Sequence, residues 1–362
     1  MNTPRQDGFS MPAEWFPHAG CWMIWPERPD NWRLGAKPAQ KAFAEVATAI
    51  ARYEPVTMMV SARQFANARA HLPDDIRLVE VSTNDAWCRD VGCSFLLGPD
   101  QKLAGVDWPF NAWGGLQDGL YFPWDLDDAV AAKMLQIERA KTYRAPIIVE
   151  GGAIHVDGEG TILVTEACLL NENRNPGAER QHIEQSLKDY LGASHVIWLG
   201  QGVPFDETGG HIDNIACFVK PGTILLTWCD DPSDPHYAVS RDAEARLLTA
   251  RDAQGRPIKI EKIPMPTPMF FTEEEASTID HSGSAMVRRA GERLAASYIN
   301  FYIANGAIIA PAFGVATDEP ARDILAAIFP DRDIVQIPAR EILLGGGNIH
   351  CITQQQPLSM KP

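Results

Sequence analysis

Alternation of helical and strand periodicity, returning about every sixty residues, constrains this chain more than any other feature. Five stretches carry apolar residues at helical spacing, and each is followed within a few residues by a short apolar run of strand type. Pro38 to Tyr53 places Phe43, Val46, Ala47 and Ile50 on one face, and Pro55 ends it ahead of Val56 through Val60. The second stretch opens on Asp125, Asp127 and Asp128, acids suited to a helix N-terminus, runs to about Arg139 and leads to Ile147-Ile148-Val149. Ala178 to Leu191 leads to Val196 through Leu199, Val239 to Ala250 to Ile258 through Ile263, and Ala321 to Phe329 to Ile334 through Ile337. Between them lie runs that read as hairpins: Ser94 to Val106, Ala153 to Leu170, Ile215 to Trp228 and Phe301 to Pro311, each bent at Gly, Pro, Asn or Asp.

A unit of hairpin, helix and strand therefore recurs. Asp90 and Glu150 are 60 residues apart, and Glu150 and His211 are 61 apart. A period of that size, without linker or low-complexity segment, predicts a closed ring of similar α/β units spanning 1–362 as one domain. The alternative is a doubly wound α/β sheet, against which the repeated Pro and Gly turns inside the β runs weigh.

Composition removes several classes of function. No stretch approaches the roughly 18 apolar residues that span a bilayer, and Met1 to Ser10 lacks an apolar signal core, so a cytoplasmic location is expected. Seven cysteines without paired CxxC spacing suggest neither a disulfide framework nor a structural zinc site, and Cys88 and Cys93 are expected to be reduced. The net charge of −15 disfavours nucleic acid and mildly favours a small cation, although solubility alone accounts for most of it.

Four clusters set reactive groups beside turn-prone backbone: Trp87 to Asp90, Glu150 to His155, Glu207 to Asn214, and Gly345 to Cys351. In a ring their junctions would face one end of the axis. Cys351 alone reads as a buried thiol, but three glycines just before it let backbone approach a ligand closely. A thiol, with its reference pKa of about 8.5, is also the best nucleophile available near neutrality. His211 and Asp213 are two apart, which suits addressing one ligand, with the histidine moving protons and the acid accepting hydrogen bonds. No third metal ligand stands at useful spacing. Each of Asp90 and Glu150 has a structural reading, a surface ion pair and a turn cap.

Together, three carboxylates, a histidine, a cysteine and the tryptophans 87 and 113 suit a guanidinium. That group is planar, charged and rich in N–H donors, so carboxylates around its edge hold it best. A thiolate can attack its central carbon if the departing nitrogen is protonated. Ammonia then leaves, and a histidine-activated water releases a ureido product.

At the motif level the chain closely resembles the agmatine deiminases of the pentein superfamily, relatives of bacterial peptidyl-arginine deiminases. The likeness rests on Met11 to Trp15, Trp25 to Arg33, Phe110 to Gly115, Glu150-Gly151-Gly152 and, most specifically, Gly345 to Gln356. It implies a fivefold pseudosymmetric α/β propeller and hydrolysis of agmatine to N-carbamoylputrescine and ammonia, with no metal or organic cofactor. It further implies Cys351 as nucleophile, His211 as general acid and base, and Asp90 and Asp213 as guanidinium ligands. Glu150 would assist that binding or orient His211, Trp87 and Trp113 would wall the carbon chain, and Glu207 would hold the distal ammonium. A homo-oligomer is the expectation for the family.

Two segments depart from the family pattern. Val91-Gly92-Cys93 stands where Thr-Gly-Pro is common, which should loosen the backbone after Asp90. Gly209 replaces an aspartate whose loss would alter substrate preference if it contacts the amine end. Rival readings are a deiminase of peptidyl-arginine, free arginine or an ω-guanidino compound, a cysteine peptidase or amidase, and a silent binding protein.

Overall fold

The computed structural model describes residues 2–360. The strands of these residues form five separate sheets, four of them three-stranded with the same internal order. In the second unit β4 (Ser94–Leu97) pairs antiparallel with β5 (Leu103–Asp107), and after a helix β6 (Lys141–Arg144) runs parallel to β5. The third unit repeats this with β7 (His155–Val156), β8 (Thr161–Thr165) and β9 (His195–Leu199). So do the fourth, with β10 (Ala216–Lys220), β11 (Thr223–Trp228) and β12 (Lys259–Pro264), and the fifth, with β13 (Tyr302–Ala304), β14 (Ala307–Ala312) and β15 (Asp333–Pro338). Each central strand is buried on both faces, so it reads as an unbroken apolar run such as Ile224-Leu225-Leu226.

The first unit is built differently. Its central strand β1 (His18–Ile24) pairs in parallel with β2 (Val56–Val60), which is followed by β3 (Arg77–Glu80). Its antiparallel partner comes from the other end of the chain: β16 (Gln354–Pro357) lies against β1, sealed by the indole of Trp22 donating to Gln356 at 2.8 Å. The strand that follows Cys351 is therefore the missing half of a hairpin whose other half opens the fold.

A helix of eight residues or more crosses between the central strand of each unit and the parallel strand beside it: α1 (Lys37–Ala51), α2 (Val130–Ile137), α3 (Arg180–Leu191), α4 (His236–Thr249) and α5 (Asp318–Ile328), with a shorter helix, Phe65–His71, between β2 and β3. A parallel pair needs such a crossover. On α1 the expected face is inside, with Phe43, Val46, Ala47 and Ile50 fully buried.

Two expectations are corrected. The strand after α2 is Lys141–Arg144, and Ile147-Ile148-Val149 is extended loop. Pro146 offers no N–H to a ladder, and the amide of Ile148 donates instead to the side chain of Asn175 at 2.9 Å, while Ile147 and Val149 pack into the core. The run expected to end at Leu170 stops as a strand at Thr165, whose hydroxyl caps the short turn Glu166–Leu169. In addition, α2 starts only at Val130, because Asp127 turns inward and accepts the backbone amides of Asn84 and Asp85.

Candidate active site

In every unit the residues just before the first hairpin strand face one region. Asp90 lies in the single turn Cys88–Val91 ahead of β4, Gly152 in the turn Gly151–Ala153 ahead of β7, and Asp213 in the turn Ile212–Asn214 ahead of β10. Asn300 precedes β13 and Cys351 precedes β16. Short 3₁₀ and α turns at these places point successive side chains and N–H groups to one side, which an extended strand would not do.

Cys351 is buried, and its Sγ stands 3.7 Å from Oδ2 of Asp213. The orientation of Asn300 is fixed by its own acceptor: Oδ1 takes the amides of His350 at 2.9 Å and Cys351 at 3.3 Å. Its Nδ2 consequently faces the sulfur at 3.2 Å and donates to it. Burial pushes the Cys351 thiol well up, Asp213 and Asp90 add to that, and Asn348 and Asn300 oppose it. The thiol is thus protonated at rest, in a site whose charge a cation would reverse.

Asp90 accepts the indole N–H of Trp113 at 2.9 Å on one oxygen and the amide of Gly152 at 2.9 Å on the other. Burial, with Asp213 and Glu150 nearby, pushes its carboxyl up to about 6 despite His211. His211 is buried with both ring nitrogens unpartnered at hydrogen-bonding range. Nδ1 faces Asp90 at 3.8 Å and Nε2 faces Glu150 at 3.5 Å. Burial alone would lower its pKa, but Asp90, Cys168 and Glu150 raise it well above the usual histidine range, so it carries a proton.

Glu150 is committed on its other oxygen to Arg174, at 2.6 Å and fully buried. Burial raises its pKa, yet Arg174 and His211 outweigh that and hold it at about 2. Arg174 also donates to the carbonyls of Trp113 and Thr208. This geometry supports orienting His211 over touching a guanidinium. Glu150, Cys168 and His211 bring one donor atom each within 4.8 Å of one another, a set that could hold a metal ion. Cys168 is the third group that spacing did not suggest. With Arg174 on Glu150 and Asp90 across the imidazole, the cluster is already a charge-balanced seat for the ring.

A narrow cleft opens beside these groups and is lined by Trp87, Asp90, Trp113, Tyr121, Glu207 and Cys351. Glu207 reaches it, but both its oxygens are taken by Arg288, at 3.0 and 2.6 Å, so the free carboxylate expected for a distal ammonium is instead half of an ion pair. Trp87 is pinned by Asp85, which accepts its indole N–H at 2.9 Å. Ala285, Met286 and Arg288 also line the cleft, and their segment is held by Met286 N–H donating to the carbonyl of Leu120 and Phe122 N–H to that of Ser284.

The glycines have separate reasons. A Cβ on Gly152 would stand 2.6 Å from His211 Nδ1 and 2.9 Å from both Asp90 and Asp213. Gly346, at φ +106°, would put one 2.3 Å from Glu207. Gly209, at φ +83°, has Arg174 as its neighbour at 3.8 Å, so an acid there would lie beside that arginine. After Asp90 the backbone is closed without proline by Gly92 N–H on Cys88 at 3.0 Å. Cys88, Cys93 and the other five cysteines are free.

Asn300, Arg174, Glu14 and His350 were not singled out in the sequence. His350 sits beside Cys351 in the terminal motif, and Asn300 occupies the place before a hairpin that Asp90 and Asp213 hold in their units; either signal was readable. Glu14 lies within the Met11 to Trp15 motif that carries the family likeness, whereas Arg174 carried no signal.

A sequence profile for the Porphyromonas-type peptidyl-arginine deiminases matches residues 10–357. The chain is 55% identical over 362 residues to the agmatine deiminase of Pseudomonas aeruginosa (strain LESB58), covering 99% of this chain and 98% of that one. It is 54% identical to the agmatine deiminase of Pseudomonas syringae pv. tomato, with coverage of 99% and 98%. Among solved structures, agmatine deiminase of Enterococcus faecalis superposes with a TM-score of 0.96 at 48% identity over 99% of this chain and 98% of the other. A C. jejuni agmatine deiminase with substrate bound gives 0.84 at 26% identity, over 98% and 97%. Among the described residues no helix is long and apolar enough to cross a membrane.

Proposed function

Because the chain belongs to the Porphyromonas-type peptidyl-arginine deiminase family, we propose that Cys351 hydrolyses agmatine to N-carbamoylputrescine and ammonia through a covalent thiouronium. In the cell this supplies putrescine and polyamine synthesis from arginine. The observation that carries the reading is the approach of Cys351 to Asp213 at 3.7 Å beside a cavity that Asp90 also lines. Two carboxylates flanking one thiol suit a planar cation whose carbon must be attacked.

The resting charges give the order of events. A guanidinium seated on Asp90 and Asp213 neutralises the acids that keep Cys351 protonated, so the thiol releases its proton to solvent, where it ends on the departing ammonia as ammonium, and the substrate creates its own nucleophile. The sulfur attacks the central carbon, and protonated His211 gives its proton to the departing nitrogen, which leaves as ammonia. Neutral His211 then takes a proton from water, which attacks the thiouronium; the C–S bond breaks and the thiol is regenerated. Glu150, fixed by Arg174, holds the ring throughout.

Trp87 and Trp113 offer aromatic walls to the four-carbon chain, and with Tyr121 they give a distal ammonium π faces as well. Glu207 contributes there only as the Arg288 pair. Free arginine would need an uncompensated cation for its carboxylate, but Arg28 is paired with Asp30 at 2.5 and 3.0 Å and Arg288 with Glu207. Peptidyl-arginine would have to fit its backbone beside Ala285, Met286 and Arg288, which line the cleft.

The same reading joins the five sheets into one closed fivefold propeller over 1–362, in a cytoplasmic homo-oligomer. The deciding experiment is a panel of guanidines assayed for ureido product, with acid-quenched mass spectrometry during turnover. Agmatine should be the preferred substrate and the adduct should map to Cys351. Full activity of Cys351→Ala would remove the covalent mechanism, and inactivity on agmatine beside good turnover of another guanidine would remove the substrate.

A further inference from the structure

We propose that His350 and Glu14 form a buried dyad that aims Asp213 at the guanidinium, a positioning role within the reaction assigned above and dependent on it. His350 precedes the nucleophile, and its side chain points away from the cavity into the protein. Nδ1 stands 2.9 Å from Oδ2 of Asp213, and Nε2 stands 2.9 Å from Oε1 of Glu14. All three side chains are buried. A ring with an ionised carboxylate on each nitrogen serves both only as an imidazolium, because the neutral form has a single N–H. Burial and the nearby Arg89 guanidinium oppose that charge, but Glu14 and Asp213 outweigh them and raise the His350 pKa above the usual histidine value. Arg89 reaches Glu14 at 3.3 Å, His155 lies 3.6 Å from the other Glu14 oxygen, and the rings of His155 and His350 stack with centroids 6.4 Å apart.

For Asp213 the consequence is specific. With Oδ2 held by His350, Oδ1 is left buried with no partner, an acceptor available to a substrate N–H. Arg89 precedes Asp90, and its amide donates to the carbonyl of Cys351 at 3.0 Å. Glu14 therefore links the turns that carry both guanidinium acids and the nucleophile. This explains why a glutamate from the N-terminal segment is buried behind a site to which it contributes no reacting atom.

Two substitutions separate aiming from bracing. Asn at 350 puts an amide N–H near the place of Nδ1 and keeps the donor to Asp213, whereas Gln reaches toward Glu14 and loses it. His350→Asn should keep kcat/KM for agmatine within about tenfold of the wild type. His350→Gln should lose roughly 100-fold, mostly as raised KM, in line with a charge-assisted hydrogen bond. Calorimetric titration of agmatine into both variants on a Cys351→Ala background reads the same difference without turnover.

Equal losses in the two variants, following their thermal midpoints, would overturn the dyad in favour of a structural brace. Should His350→Gln not fold, Glu14→Ala tests the same link: affinity about tenfold weaker is expected, and unchanged affinity overturns it. A wild-type protein that binds agmatine without releasing ammonia would instead overturn the reaction, and the affinity difference would still judge the dyad.

Discussion

In the proposed reaction Asp90 has opposite demands placed on it: it would have to be ionised to hold a guanidinium, yet burial and two neighbouring acids push its carboxyl to about 6. The sign for catalysis follows directly. In the free enzyme kcat/KM should fall about tenfold per pH unit as pH drops below about 6, far above the reference carboxyl value of about 3.9. A pH profile with agmatine checks this, and an acid limb near 4 would show that Asp90 is not the group read. None of this was legible at residue level. Arg89-Asp90 in a sequence is an exposed ion pair as readily as a site, and only the fold turns Arg89 inward to Glu14 while Asp90 meets Trp113 and Gly152. Glu207 shows the reverse case, a motif acid whose charge is spent on Arg288, distant in sequence.

The short turns before the hairpins are the elements on which the site depends. Gly152 is the tightest of them, since a methyl there meets His211, Asp90 and Asp213 together. Gly152→Ala should leave the thermal midpoint within a few degrees but lower kcat/KM by more than about 100-fold, because displacing reacting groups by an ångström is enough. Normal activity in that variant would mean the turn is looser than its contacts. Gly209→Asp tests the neighbouring turn. Its carboxylate would lie beside Arg174, so KM for agmatine should stay within about threefold, at a backbone cost of about 1 kcal/mol for φ +83°. A large KM change would return that position to the substrate. The five long helices were readable from periodicity, and most strands from periodicity together with turn residues, whereas the short helix Phe65–His71 was not read. The loop at Ile147 to Val149 was not, because its apolar residues are buried without a ladder.

Across the whole molecule, the pairing of β1 with β16 joins the two ends of the chain within the first unit, and Glu54 ties that unit to the fifth. Glu54, after α1, accepts the hydroxyl of Tyr302 at 2.6 Å, the amide of Asn305 at 2.7 Å and His18 Nδ1 at 3.1 Å, and it is buried. Glu54→Ala strands those donors, so unfolding free energy should drop by about 3–5 kcal/mol with kcat/KM of the remaining folded protein within about threefold. Urea unfolding together with activity measures both, and an unchanged midpoint would mean that the two ends hold without it.

By itself the sequence determined the repeat, because hydrophobic period depends only on neighbours along the chain, and it determined the reactive inventory, because carboxylates, imidazole and thiol carry their chemistry anywhere. It could not determine which of these groups would be free. That depends on partners far away in sequence: Arg174 on Glu150, Arg288 on Glu207, Asn300 on Cys351 and His350 on Asp213. Burial then magnifies each pairing, and only the tertiary structure brings the pairs together.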